Sequence, residues 1–549
     1  MSNTEPPAID ELPARHADGP PGLAPALAAW RDLLGANYVR TEPSALQAAA
    51  TATFATSQRV LAIVAPASRA EVQGCLAIAS AHGVPLYPVS RGRNWGYGSR
   101  VPSQPAAAIL DLARMNRIVD YDERLAYVTV EPGVTFQQLH DFLARERSEL
   151  MLNVTGGPVD GSLIGNILER GIGLGPHAER AQHIGACEVV LPTGELIHTG
   201  YGRFDTPLAP LSGAGVGPQL AGLFQQSSYG VVTQMTVWLA RKPAYFHTFY
   251  YQVRRPERLP ALIDTLQELR LAGPPGAHYS LWNDYKVIST LQQYPWEAAG
   301  GRTPLPDATL AQLRQRWGVA PWNGYGAIYS CSARHGRAER ALVAQALRGQ
   351  VDDLRFVSDT TAWAARALAR PLLWLTGYDI ARATRSHDRA ASPWLGAPGG
   401  NVASAYWRKR APIPASMDPD ADGCGVIWCS PCVPFTGSHV AAAIEIATRV
   451  IGAHGFEPNI ALVCVTPRVV HAIIAILFDR AAPGEDERAL ECHGALLRAL
   501  AERGYLPYRL GLQSAGGLPP PTDDDARLHA ALRRALDPNN ILGPGKYSP

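Results

Sequence analysis

The segment from Arg59 to Gly98 constrains the fold more than any other part of the chain. It spells strand, turn, helix, strand and glycine loop in immediate succession. RVLAIVAP is apolar and β-branched, Val72, Cys75, Leu76 and Ile78 recur at helical spacing, and PLYPVS returns as a second strand. Such a unit is βαβ-like. It runs straight into Ser90-Arg91-Gly92-Arg93-Asn94-Trp95-Gly96-Tyr97-Gly98. Small residues directly after an apolar strand free consecutive backbone N–H groups to wrap a phosphate, and they serve equally well as ordinary turns. The chain has no GxxxxGK[ST], and GRNWGYG does not open a helix as G-x-G-x-x-G does, so P-loop and Rossmann readings are set aside.

A second glycine cluster, TGGPVDGSLIGNILERGIGLG, places Ser162 and Asn166 near a helix start. Helices are expected near 25–35 and 44–50, and Thr135 is placed to cap a helix over FQQLHDFL after three short strands. ACEVVLPTGELIHTG reads as a hairpin turning at PTG. After the apolar strand at 230–243 the pattern shifts to longer amphipathic helices and aromatic strands, which puts a domain boundary near 244. The expected division is an N-terminal arm and first helix (1–40), a first domain (41–243), a second (244–504), and a tail (505–549) returning to the first.

At 549 residues the chain is long enough for two domains, and 50 basic against 48 acidic residues, with neither sign gathered in a block, argue against a nucleic-acid binder. No apolar run approaches membrane-spanning length, and the acidic, Pro-rich opening residues read as a flexible arm rather than a secretory signal. A soluble, cytoplasmic protein without membrane association is expected. Eight cysteines are too sparse for a disulfide scaffold, and Cys429-x-x-Cys432 lacks a second pair at zinc-like spacing, so no metal site is expected.

PVSRGRNWGYG, AILDLARMNRIVDYDERLAYVTVEPGVTFQQL, GSLIGNILERGIGLGP, EVVLPTGELIHTG, GLFQQSSYGVVT, PWNGYGAIY and DPNNILGPGKY, in this order, resemble the vanillyl-alcohol oxidase/p-cresol methylhydroxylase family of FAD-dependent oxidoreductases. The resemblance covers nearly the whole chain from about residue 40 and is nearest to the branch that oxidises 4-alkylphenols and 4-hydroxybenzyl alcohols. It implies an α+β, two-domain FAD-binding PCMH-type fold with a mixed α/β cap over the isoalloxazine ring. By the same resemblance, Pro88, Ser90, Arg91, Gly92, Arg93, Asn94 and Gly96 belong to the diphosphate loop. Gly157, Ser162, Gly165, Asn166, Glu169 and Gly171 line the cofactor, and Gly230, Val231 and Val232 face its adenosine half.

The resemblance also implies a phenolate clamp of Tyr97, Tyr508 and Arg509, since hydride leaves a benzylic carbon more readily when the para oxygen is anionic. His471, His177 and Asp160 are the further catalytic candidates, although Asp160 is out of step with the family's flavin-side aspartate, whose ungapped match is Gly157. The histidine that links flavin in covalent relatives falls at Val426, so noncovalent FAD is expected, with a cysteinyl link through the flanking Cys424 or Cys429 as the alternative. Function is expected to be hydride removal from a small, para-hydroxybenzylic substrate, with dioxygen or a protein or quinone as electron acceptor and a homodimer as an open possibility. Two alternatives stand beside it: a biosynthetic FAD enzyme acting on a C–N or non-phenolic C–O bond, and a flavin-binding protein without catalysis.

Overall fold

The computed structural model describes residues 19–272, 278–367, 392–399, 402–542 and Tyr547. Most of the expected N-terminal arm, residues 1–18, lies outside the described residues. The fold is α+β, in two parts.

The βαβ unit forms as its sequence dictates. Strand Arg59–Val64 leads to helix Arg69–His82 and back to strand Leu86–Val89. The Ser68 side chain accepts from the Glu71 amide at the helix start, a cap of about 1 kcal/mol, and Gly83 ends the helix at φ 62°. Both strands lie parallel to Ala106–Asp111, the strand between them in a four-stranded sheet completed by Val39–Arg40. Helix Leu23–Leu34, expected to belong with the arm, instead packs into this unit: Trp30 is fully buried and its Nε1 donates to the Cys75 carbonyl at 3.2 Å.

A five-stranded antiparallel sheet follows, in the order Ile118–Asp122, Tyr127–Val130, Val231–Trp238, Ile184–Val190, Leu196–His198. The last two strands are the PTG hairpin, and Thr135 caps helix Phe136–Arg145 by accepting from the Gln138 amide. The expected strand at 230–243 is shorter than its apolar run. It ends at Trp238, and Ala240–Arg241 turns aside to pair with Leu150–Met151. The tail returns here: Leu86 N donates to the Ile541 carbonyl at 2.8 Å, and Ile541 and Leu542 are buried beside the βαβ unit.

From Tyr245 to Asp479 a single eight-stranded antiparallel sheet is built in the order Asp353–Val357, Tyr245–Val253, Trp322–Ser330, His278–Asn283, Asn459–Cys464, Val469–Asp479 and Cys424–Cys429, with Cys432–Pro434 also paired to Val469–Asp479. Strand periodicity gives it two unlike faces. Ile427, Cys429, Ile460 and Leu462 point into a core covered by helices Leu259–Ala272, Ala333–Leu347, Gly437–Ala453 and Glu485–Ala501. Their neighbours Val426, Trp428, Ala461 and Val463 point the other way, into a large cavity between the two parts of the molecule. The apolar run VVHAIIAILF, ambiguous between strand and helix in sequence, is a strand because both its faces are covered. No helix among the described residues is long and apolar enough to cross a membrane.

Candidate active site

The cavity has a volume of about 1460 Å³. Its floor is made by the loop after strand Leu86–Val89, by the segment from Thr155 to Leu174, and by Gly230, Val231 and Val232. Of the expected cofactor residues, Pro88, Ser90, Arg91, Gly92, Arg93, Asn94, Gly157, Ser162, Gly165, Asn166, Glu169, Gly171 and Gly230–Val232 all line it. Ser162 also caps the short helix Leu163–Leu168 through the Gly165 amide. The chamber suits an elongated dinucleotide: its floor is long, walled by backbone and small side chains, and its carboxylate Glu169 is held by Arg509 at 3.3 Å.

Gly96 is not among the lining residues and serves the loop differently. It adopts φ 77°, and a Cβ there would lie 2.0 Å from the Trp428 ring. Its amide donates to Thr53 Oγ1 at 2.9 Å, and its carbonyl accepts from the Trp428 amide at 3.1 Å. The glycine therefore lets a tryptophan of the cap sheet lie directly on the loop.

Tyr97 comes together with the adjacent pair Tyr508 and Arg509, about four hundred residues further along the chain, and all three line the cavity. The Arg509 guanidinium lies 4.5 Å from the Tyr97 ring centroid and donates to Asn94 Oδ1 at 2.5 Å. The Tyr97 hydroxyl is 2.9 Å from Ser430 Oγ, and the Tyr508 amide donates to the Ser430 carbonyl at 3.1 Å. Burial pushes both phenols above their ordinary range, partly offset in each by the Arg509 charge, so both remain O–H donors at neutral pH. Arg509 stays charged: the carboxylate of Glu169 and the phenols around it outweigh its burial. Glu169, expected only as a cofactor-lining residue, is thus also the anchor of Arg509, and Tyr547 Oη donates to it at 2.5 Å.

The other catalytic candidates sit elsewhere. Asp160 is not among the cavity-lining residues. Its carboxylate pairs with Arg93 Nε at 2.8 Å, because the PVDGS turn aims it back at the glycine loop. His471 lies behind Tyr508, ring to ring at 4.6 Å, on a strand that buries it, and burial lowers it to about 4. His177 stacks on His183 at 4.1 Å and is also lowered to about 4, by burial first and then by His183. Neither ring is among the lining residues. Val426 is in the wall, while Cys424 and Cys429 are buried outside it, and the described lining residues include neither histidine nor cysteine.

Four charged residues escaped the sequence reading. Arg180 is 1% exposed and donates to the carbonyls of Asn153 and Gly171 at 2.8 and 2.9 Å. Burial lowers it to about 9, and it is close enough to Tyr508 and Arg509 to feel both. Asp418 Oδ2 binds Arg93 Nη1 at 2.6 Å, and Asp420 accepts from Ser99 Oγ at 2.7 Å and Trp95 Nε1 at 3.1 Å. A turn of the second part of the chain thereby grips the glycine loop of the first. Lys286, in helix Asp284–Leu291, also lines the cavity. No motif surrounds any of these residues. Among the described residues, no cluster of three His, Cys, Asp or Glu side chains is arranged to hold a metal ion.

Residues 60–200 match the FAD binding domain family. The chain is 51% identical over 527 residues to the 1'-carboxy-chondrochloren decarboxylase of Chondromyces crocatus, covering 96% of this chain and 97% of that one. It is 30% identical over 490 residues to the 4-cresol dehydrogenase [hydroxylating] flavoprotein subunit of Pseudomonas putida, covering 87% and 85%. Among solved structures, the 4-ethylphenol oxidase of Gulosibacter chungangensis, in an isoeugenol complex, superimposes with a TM-score of 0.84 at 26% identity and 98% coverage of each chain.

Proposed function

This chain belongs to the vanillyl-alcohol oxidase/p-cresol methylhydroxylase family of FAD-dependent oxidoreductases, and on that footing we propose that it removes a hydride from the benzylic carbon of a para-hydroxyphenyl substrate. The observation that carries this reading is the convergence of Arg509, Tyr97 and Tyr508 on one wall of the cavity. Bound FAD supplies the hydride acceptor. The chain's own groups hold the phenol oxygen: two protonated tyrosines donate hydrogen bonds, and a permanent guanidinium supplies the counter-charge. Arg180 adds a second positive charge behind them. These groups stabilise the phenolate, whose electron pair moves into the ring as hydride departs and leaves a neutral quinone methide. Water or a hydroxyl then adds to complete the product.

A second outcome of the same step is favoured by the 51% identity to a decarboxylase over nearly the full length of both chains. Where the carbon beside the benzylic position bears a carboxylate, the quinone methide accepts the electron pair of the breaking C–C bond. CO₂ leaves, the ring regains its phenolate, and a vinylphenol remains. Hydride loss and CO₂ loss then balance as a two-electron oxidative decarboxylation.

The positive character of the site disfavours the alternative of a cationic amine substrate, because Arg509 and Arg180 both lie at the clamp. Anaerobic mixing of the yellow protein with 4-alkylphenols, their O-methyl ethers, amines and aliphatic alcohols tests the proposal. The phenols bleach the flavin and the ethers do not; 3-(4-hydroxyphenyl)propanoate releases CO₂ in step with bleaching if decarboxylation follows. Equal bleaching by the ethers, or bleaching by amines alone, overturns the phenol reading, and failure of every donor supports the non-catalytic alternative.

A further inference from the structure

Lys286 is a buried cation without a counter-charge. It sits early in helix Asp284–Leu291, held there because Asn283, the N-cap, accepts from its amide at 3.0 Å. The side chain is 6% exposed and lines the cavity. Among the described residues, no carboxylate is within ion-pairing distance of its Nζ. The neighbouring acid is already committed, since Asp284 accepts from Arg314 Nε at 2.7 Å. Other deeply buried cations of the same region are paired: Arg408 with Glu457 at 2.9 Å, and Lys409 with Asp479 at 2.8 Å.

What flanks Lys286 is aromatic. Nζ lies 5.0 Å from the ring centroid of Trp428 and 5.7 Å from that of Trp282. Ring faces attract a cation, yet they offer no oxygen acceptors for an ammonium's three donors. Burial lowers the ammonium to about 8, so it remains mostly charged at neutral pH. A buried charge is costly when unpaired, and the space in front of this one is the substrate chamber.

We propose that Lys286 receives a carboxylate of the substrate, at the end of the molecule remote from the phenol. The geometry adjoins the two ends: Trp428, which faces Lys286, donates its amide to Gly96, the residue before Tyr97 of the clamp. A para-hydroxyphenyl acid therefore finds two cationic anchors, Arg509 and Lys286, lining one chamber. This inference rests on the phenol reading for the ring and adds the acid group. Lys286 selects by charge, and a neutral ester or a plain alkylphenol leaves its ammonium unpaired.

Binding of 3-(4-hydroxyphenyl)propanoate, its methyl ester and 3-phenylpropanoate, read from the perturbed flavin absorbance before reduction, separates the two claims. The wild type binds the acid more tightly than the ester. In Lys286→Met the acid's Kd rises by about 30-fold or more while the ester's is nearly unchanged, and Lys286→Arg restores part of the preference. Flavin content stays at the wild-type level in both variants. Equal wild-type affinity for acid and ester overturns the proposal without requiring any variant to fold. So does an acid preference that survives in Lys286→Met, or loss of flavin from that variant, which would assign the lysine to the cofactor. If 3-phenylpropanoate binds as well as its phenolic counterpart and still depends on Lys286, the carboxylate assignment stands and the phenol reading fails. If phenols bind through Arg509 with no preference for the acid, the reverse holds.

Discussion

Arg509 concentrates the contacts of the site in one side chain. It contacts Asn94 and the ring of Tyr97 in the glycine loop and Glu169 of the second glycine segment, so a single guanidinium positions groups from two distant parts of the chain. Truncating one partner of a buried, hydrogen-bonded charge pair costs about 2–5 kcal/mol, which corresponds to about 30-fold or more in rate. Arg509→Ala is therefore expected to slow flavin reduction by phenols to at least that degree in stopped-flow measurements. A bound para-substituted phenol should lose the ionised-form absorbance it shows in the wild type below its solution pKa. Arg509→Lys should recover only part of both, since a point charge cannot replace a planar fork. A wild-type reduction rate in Arg509→Ala would remove the clamp from the mechanism. Lys286 and Arg180 explain the limit of reading residues from sequence. Each is one basic residue in a segment with no motif, and its meaning comes from the partner it lacks or the carbonyls it caps, which only the folded chain reveals.

Elements whose signals are local were legible in advance. The Thr135 cap, the helix start near Ser162, the PTG hairpin and the strand–helix–strand unit depend on residues a few positions apart, and they stand where their sequences put them. Elements defined by distant partners were not. Asp160 was a catalytic candidate out of step with the family's flavin-side aspartate; the turn carrying it faces Arg93, and Arg93 is shared with Asp418, more than three hundred residues away. The turn bearing Asp418 and Asp420 is the clearest case. Burial raises Asp420 to about 7, ahead of any other influence, even though Ser99 and Trp95 donate to it. A carboxyl whose folded pKa lies above its unfolded value stabilises the fold at low pH and loses that contribution as pH rises through the folded pKa. Thermal melting should therefore show the wild type losing stability between about pH 4 and 7 through this group. Asp420→Asn, which keeps an acceptor for Ser99 and Trp95, should flatten that loss and melt at or above the wild type at pH 8. A wild-type pH dependence in Asp420→Asn would mean the carboxyl is not the group responsible.

At the scale of the molecule, the eight-stranded sheet divides labour between its faces: one closes on helices, and the other roofs the large cavity. Val426 occupies the wall where a linking histidine would stand, and the described lining residues offer no histidine or cysteine as a substitute. The flavin is accordingly expected in the supernatant after acid precipitation, and flavin fluorescence that stays with the polypeptide on a denaturing gel would contradict this.

The ion pair of Arg93 with Asp418 ties the cap to the loop beneath it, Asp160 braces the same guanidinium from within the first part, and the side chains of Arg93, Asp160 and Asp418 are 27%, 37% and 36% exposed, within reach of dissolved salt. Screening at that exposure weakens the latch, whereas the buried pair of Arg408 and Glu457, at 1% and 2%, is sheltered from it. Cofactor exchange should therefore respond to ionic strength even though the folded framework does not. Dialysis against 1 M salt should exchange labelled FAD several-fold faster than dialysis against 0.01 M, where the Debye length is about 30 Å. Arg93→Ala should exchange quickly in both, so that salt acts on the residence time of the cofactor as a key acts on a lock already built into the protein.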